Sequence, residues 1–121
     1  GPAVLAAGLA LGSHAAAVLL VNNVRDSVAD ARAGRSTLAL RLGPSVSRQL
    51  YTGLMLLPYP LLAASFGVTE LGIAWLSLPV CLWLAWRFQD MPAGAAMNTQ
   101  LAQTALAQVL LGALLCVALA R

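Results

Sequence analysis

Two aspartates four residues apart, Asp26 and Asp30, are the side chains in this sequence best suited to bind a metal ion. They follow Asn22 in a run compatible with a helix, where each step of four residues turns by only about 40° beyond a full turn. The three side chains therefore lie on one face. Two carboxylates one turn apart repel each other unless a cation lies between them. Mg²⁺ is suited to this position, because it takes one or two carboxylates and completes its shell with water and phosphate oxygens.

The segment from Asn22 to Gly43 also contains or adjoins five of the seven arginines of the chain. Arg25, Arg32 and Arg35 lie nearest the two aspartates and are predicted to hold the same phosphate oxygens as the metal ion. The alternative is a solvated charged loop that only fixes membrane topology. A bare DxxxD pattern would leave that alternative open, but two asparagines followed by RDxxxDxxxGR exceed what topology requires.

The composition indicates the class of protein to which these residues belong. Hydrophobic residues make up 60% of the chain and charged residues only 9%, whereas soluble domains carry roughly a quarter charged residues. The sequence therefore predicts an all-α, integral-membrane helical bundle in a lipid bilayer. Every basic side chain that gives the net charge of +3 is an arginine, and most lie in one segment, so no nucleic-acid partner is predicted. Cys81 and Cys116 lie in apolar runs and are expected to pack as small hydrophobic residues.

Four membrane-spanning helices are predicted within the single domain 1–121. Their approximate bounds are 4–24, 50–66, 71–88 and 98–120, with a motif loop over 25–48. Each span is close to the 20 or so residues that cross a bilayer. Gly34 is predicted to end the helix that carries the aspartates, and Gly43-Pro44 to break the chain again. Pro58 and Pro60 are expected to kink the second span, which is tolerated where neighbouring groups satisfy the freed carbonyls.

Polar side chains inside the spans have two interpretations each. His14 lies mid-span, where it is either a functional residue or a neutral side chain hydrogen-bonded to a neighbouring helix. Gln100, Thr104 and Gln108 form a stripe on the last span, which either lines a cavity or joins helices through hydrogen bonds.

The arginines also predict the orientation of the chain. The first loop is strongly basic, the second has no basic residue, and the third has Arg87. Basic loops remain in the cytoplasm, so the first and third loops, including the motif, are predicted to be cytoplasmic and both ends external. The predicted location is the cell inner membrane.

The segment NNVRDSVADARAGRSTLALRLG resembles the second aspartate-rich motif of the UbiA superfamily of intramembrane prenyltransferases. Its form is most similar to that of the 1,4-dihydroxy-2-naphthoate polyprenyltransferases of menaquinone synthesis, which read roughly NNxRDxxxDxxxGKxTLAxRLG. Arg35 replaces the usual lysine. The last helix also resembles the end of these enzymes, with matches at Asn98, Leu101, Thr104 and Ala105. The DRxxD pattern of the 4-hydroxybenzoate branch is absent, so that branch ranks second.

The resemblance implies a nine-helix bundle in which two aspartate-rich motifs bind Mg²⁺ and a polyprenyl diphosphate. Loss of diphosphate then leaves an allylic cation, which the ring of an aromatic acceptor attacks. By this resemblance Asp26 and Asp30 are the catalytic residues and metal ligands. The residues implied to bind the diphosphate are Asn22, Arg25, Arg32 and Arg35.

The first motif of that family, NDxxDxxxD on an early helix, is not in this sequence. The chain is therefore expected to be the C-terminal part of a longer enzyme, inactive without its N-terminal helices. A different class remains as the alternative, namely a small non-catalytic four-helix membrane protein or transporter subunit. Transporters more often have ionisable groups near the bilayer midplane, so the motif favours the transferase.

Overall fold

A computed structural model describes residues 1–120, and those residues form helices joined by short turns, with no strand among them. The helices are α1 (Pro2–Arg25), α2 (Ser27–Arg32), α3 (Leu38–Leu42), α4 (Pro44–Leu56), α5 (Pro58–Phe66), α6 (Val68–Leu71), a 3-10 helix (Gly72–Leu76), α7 (Ser77–Phe88) and α8 (Met97–Leu119). The predicted all-α class is confirmed. The chain is an integral membrane protein, as its long apolar helices indicate.

Helix α1 is the centre of the bundle, because it packs against α8 on one side and against α4 and α5 on another. Helix α7 closes the bundle by packing on α4 and α8. Tyr51 and Phe88 are fully buried between these helices, with ring centroids 4.4 Å apart. Large apolar side chains also point outward, and Trp86 is 75% exposed. An apolar outer surface suits contact with lipid.

Three helical segments are long and apolar enough to cross a membrane, namely Pro2–Arg25, Val68–Phe88 and Met97–Leu119. They correspond to the first, third and fourth predicted spans. The segment predicted as the second span, 50–66, is different, because its helix begins earlier, at Pro44, and divides at Leu57 into α4 and α5. The segment 50–66 is not among the three segments that are long and apolar enough to cross a membrane. That this second predicted span crosses the membrane therefore stays a prediction.

Prolines cause this division. Pro58 and Pro60 lack an N–H, so the carbonyls four residues before them lose their helical donors. The hydroxyl of Ser13 on α1 donates to one of these, the carbonyl of Leu54. The ring of His14 donates from Nε2 to the carbonyl of the next residue, Met55, over 3.1 Å. A neighbouring side chain thus satisfies the Leu54 carbonyl, which Pro58 frees, and the hydrogen-bonded interpretation of His14 is confirmed.

Ser13→Ala should therefore destabilise the complete protein by about 1 kcal/mol, because the Leu54 carbonyl loses its donor in an apolar interior. The measurement is the free energy of unfolding in detergent micelles. Ser65→Ala is the matched control, since Ser65 is exposed. Equal effects of the two substitutions would contradict this account of the kink.

The polar stripe on α8 joins helices. Gln100 Nε2 donates to the hydroxyl of Tyr51 on α4 and to the carbonyl of Leu84 on α7. The Thr104 hydroxyl is 2.7 Å from the Tyr51 hydroxyl, and Gln108 donates to the carbonyl of Leu11 on α1. Of the two interpretations of the stripe, hydrogen bonding between helices is confirmed.

Candidate functional site

The two aspartates lie where α1 gives way to α2. Asp26 falls between these helices, yet its N–H donates to the Asn22 carbonyl over 3.1 Å and its own carbonyl accepts from Asp30 N over 2.8 Å. These are helical i to i+4 bonds. The helical phase therefore continues through the break, and Asn22, Asp26 and Asp30 keep the shared face that their spacing predicts.

The helix ends at Gly34, the predicted position, in a left-handed conformation with φ 75°. Gly34 N donates to the Ala31 carbonyl and Arg35 N to the Asp30 carbonyl, at 3.1 and 2.9 Å. This pair of bonds is a Schellman motif, which glycine favours because it has no Cβ. The turn brings Arg35 back over the helix end, where its Nη1 lies 3.4 Å from an Asp30 carboxylate oxygen.

Arg25 forms the densest set of contacts at the site. Its Nε and Nη2 both donate to the Asp26 carboxylate, Nη2 also donates to Asn22 Oδ1, and Nη1 donates to Asn98 Oδ1 over 3.1 Å. A guanidinium has five N–H groups, so these four contacts leave one free. Asn98 lies 73 residues further along the chain, at the start of α8.

The two carboxylates differ in exposure. The Asp26 side chain is 42% exposed, and the Asp30 side chain is 12% exposed. Hydrogen bonding from Arg25 holds the pKa of the Asp26 carboxyl below its usual value. Asp26 is therefore ionised at neutral pH, and its carboxylate remains partly accessible to solvent.

The donor set fits one arm of a magnesium site. Residues 1–120 contain no group of three or more His, Cys, Asp or Glu side chains arranged to hold a metal ion. Two carboxylates one turn apart nevertheless match the one or two that Mg²⁺ takes from protein, with phosphate oxygens and water completing the shell. Arg32 is exposed on the same short helix, two residues after Asp30, and none of the hydrogen bonds or ion pairs described joins it to either carboxylate.

The contacts of two residues near this site, Arg48 and Asn98, were not predicted from the sequence. Arg48 donates from Nη2 to the carbonyl of Met91 over 2.6 Å and lies over the Phe88 ring, which ties the base of the motif segment to the third loop. Asn98 was singled out only by resemblance in the last helix. No spacing rule could reveal either contact, because both depend on how distant helices pack.

The fold and the motif together define a class: a helical membrane protein with paired carboxylates and clustered arginines at the end of a spanning helix. Comparison with known proteins gives the family. The sequence model of the UbiA prenyltransferase family matches residues 1–100, and the chain belongs to that family.

Individual relatives cover the chain unequally. The 1,4-dihydroxy-2-naphthoate octaprenyltransferase of Mycobacterium tuberculosis H37Rv is 49% identical over 51 residues, which is 42% of this chain and 18% of the relative. The human UbiA prenyltransferase domain-containing protein 1 is 35% identical over 113 residues, which is 92% of this chain and 32% of the relative. The chain thus spans a third or less of the length of these relatives. No solved structure matches it.

Proposed function

We propose that the complete protein transfers a polyprenyl group from a polyprenyl diphosphate to 1,4-dihydroxy-2-naphthoate, with Mg²⁺ as cofactor, in menaquinone synthesis. The observation that carries this proposal is the pairing of Asp26 and Asp30, one helical turn apart, with Arg25 and Arg35. That arrangement suits a metal-bound diphosphate. The name of the mycobacterial relative, which is 49% identical where it matches, supports the naphthoate acceptor.

Each side chain then has a distinct task. Asp26 and Asp30 would hold Mg²⁺, which neutralises the charge of the departing diphosphate. Arg32 and Arg35 would bind the phosphate oxygens directly, because planar guanidinium groups match phosphate geometry. Asn22 and the one free N–H of Arg25 complete the set. These fixed donors stabilise the negative charge that develops as the bond to the prenyl group breaks.

The membrane supplies the rest of the setting. With the motif at the cytoplasmic face of the inner membrane, the diphosphate meets soluble Mg²⁺ while the polyprenyl chain stays among apolar helices. The other aspartate-rich motif and the wall of the cavity would come from N-terminal helices of the same protein. An apolar cavity also keeps water from the allylic cation.

The direct test is an assay of the complete protein in lipid nanodiscs with a polyprenyl diphosphate. Two aromatic acceptors are compared, 1,4-dihydroxy-2-naphthoate and 4-hydroxybenzoate. We expect a prenylated product, release of diphosphate and loss of the ring carboxylate with 1,4-dihydroxy-2-naphthoate, and no product when Mg²⁺ is chelated. Product only with 4-hydroxybenzoate would move the assignment to another aromatic acceptor. No product with either acceptor would favour the non-catalytic membrane protein.

The chain of 121 residues is the internal control for this assay. With one aspartate-rich motif it should give no turnover, because half of the metal site is missing. Turnover by this chain alone would overturn the two-motif view of the site.

A further inference from the structure

Asn98, at the start of α8, holds the Arg25 guanidinium from outside the motif. We propose that Asn98 is a positioning residue for the diphosphate site, which fixes Arg25 and through it the orientation of the Asp26 carboxylate. This inference rests on the proposed function, and it assigns a role to a residue that touches neither carboxylate.

The contacts of Arg25 explain why a third partner matters. Its Nε and Nη2 form a fork with the two Asp26 oxygens, at 3.0 and 3.3 Å. Asn22 accepts from the second hydrogen of Nη2, so two neighbours on one helix face use all the hydrogens of Nε and Nη2. Nη1 would be unanchored without Asn98, and an incoming phosphate could then draw the guanidinium away from Asp26. The contact from α8 keeps the fork on the carboxylate.

The loop that leads to Asn98 is held in place by other contacts. The third loop, which precedes α8, is tied to α4 by Arg48, whose Nη2 donates to the Met91 carbonyl over 2.6 Å. Gln89 adds a second tie, since its Nε2 donates to the Thr52 hydroxyl over 3.0 Å. These two contacts fix the loop that leads into α8 against α4 independently of Arg25.

A division of labour among the arginines follows from this geometry. Arg25 has one N–H free and serves mainly to orient Asp26. Arg32 is exposed and Arg35 meets Asp30 through a single contact of 3.4 Å, so these two retain donors for phosphate oxygens. Loss of Asn98 should therefore weaken metal binding and leave the aromatic acceptor unaffected.

The test uses the complete protein with Mn²⁺ as a spectroscopic probe. The second ligand is a prenyl diphosphate analogue in which sulfur replaces the oxygen between the prenyl carbon and the diphosphate. Electron paramagnetic resonance measures the Mn²⁺ affinity. Asn98→Leu keeps the side-chain size and removes the acceptor, whereas Asn98→Asp keeps an acceptor oxygen. Thr99→Val is the matched control, because Thr99 is the exposed neighbour on the same helix turn.

We expect Asn98→Leu to weaken Mn²⁺ binding about tenfold, the lower end of what loss of an outer-shell partner costs. It should raise the Mg²⁺ concentration for half-maximal turnover similarly, with the acceptor KM unchanged. Asn98→Asp should stay within about twofold of wild type. In the background of Arg25→Gln, Asn98→Leu should have little further effect, because both act through one contact.

The outcomes separate this inference from the proposed function. If wild type binds Mn²⁺ and turns over while Asn98→Leu matches Thr99→Val, the positioning role is overturned and the enzyme assignment stands. Additive effects of the two substitutions would also overturn it. If wild type neither binds Mn²⁺ with the analogue nor transfers a prenyl group, the proposed function itself fails.

Discussion

Asp26→Asn in the complete protein should nearly abolish Mg²⁺-dependent prenyl transfer, lowering kcat/KM by about 100-fold or more. The substitution keeps the shape of the side chain but removes the charge that would bind the metal ion. It also ends the ion pair with Arg25, whose Nε lies 3.0 Å from the carboxylate. In the proposed reaction both losses would weaken the stabilisation of the departing diphosphate. The measurement is the rate of product formation in nanodiscs across a Mg²⁺ titration.

The matched control is Asp90→Asn, in the third loop. Asp90 is exposed, and none of the ion pairs of residues 1–120 includes it. This variant should retain activity within about twofold, since it removes an equal charge from the same side of the bundle without touching the motif. Near-normal turnover by the Asp26 variant would rule out the catalytic assignment of the motif.

Gln100→Leu should lower the free energy of unfolding of the complete protein by about 2 kcal/mol, twice the effect expected at Ser13. Gln100 is fully buried where three helices meet. Its Nε2 donates to Tyr51 and to the Leu84 carbonyl, and its Oε1 accepts two bonds from Arg87 at 2.9 and 2.7 Å. Leucine replaces none of these contacts and leaves the Arg87 guanidinium with Gln103 Oε1 as its remaining side-chain acceptor.

Unfolding in detergent micelles measures this effect, and Gln49→Leu provides the comparison. Gln49 is exposed midway along α4, so the same substitution there should change stability by less than about 0.5 kcal/mol. If Gln100→Leu were as mild, the buried network would contribute little to holding α4, α7 and α8 together.

The apolar helices were largely predictable from sequence. The first and last spans were predicted over 4–24 and 98–120, and the helices run from Pro2 to Arg25 and from Met97 to Leu119. Long unbroken apolar runs leave little freedom in where such helices begin and end. The second span was less accurate, because polar residues after Pro44 continue the helix while the prolines divide it.

The site was predictable only as far as local geometry fixes it. The spacing of Asp26 and Asp30 and the glycine turn at Gly34 follow from short-range rules, and the helical hydrogen bonds through Asp26 agree with them. The contact between Arg25 and Asn98 crosses 73 positions and exists because α8 packs against α1. Spacing along one chain carries no information about that packing, nor does it test whether magnesium binds.

The proline kink has a consequence for how the motif can move. The two side chains that satisfy the carbonyls of Leu54 and Met55 come from α1, the same helix that ends at Arg25. Sliding α1 along its axis by one residue, about 1.5 Å, would break both bonds at once. The two hydrogen bonds at the kink therefore fix the position of α1 along its axis relative to α4 and α5. They fix the position of Asp26, at the end of α1, in the same way.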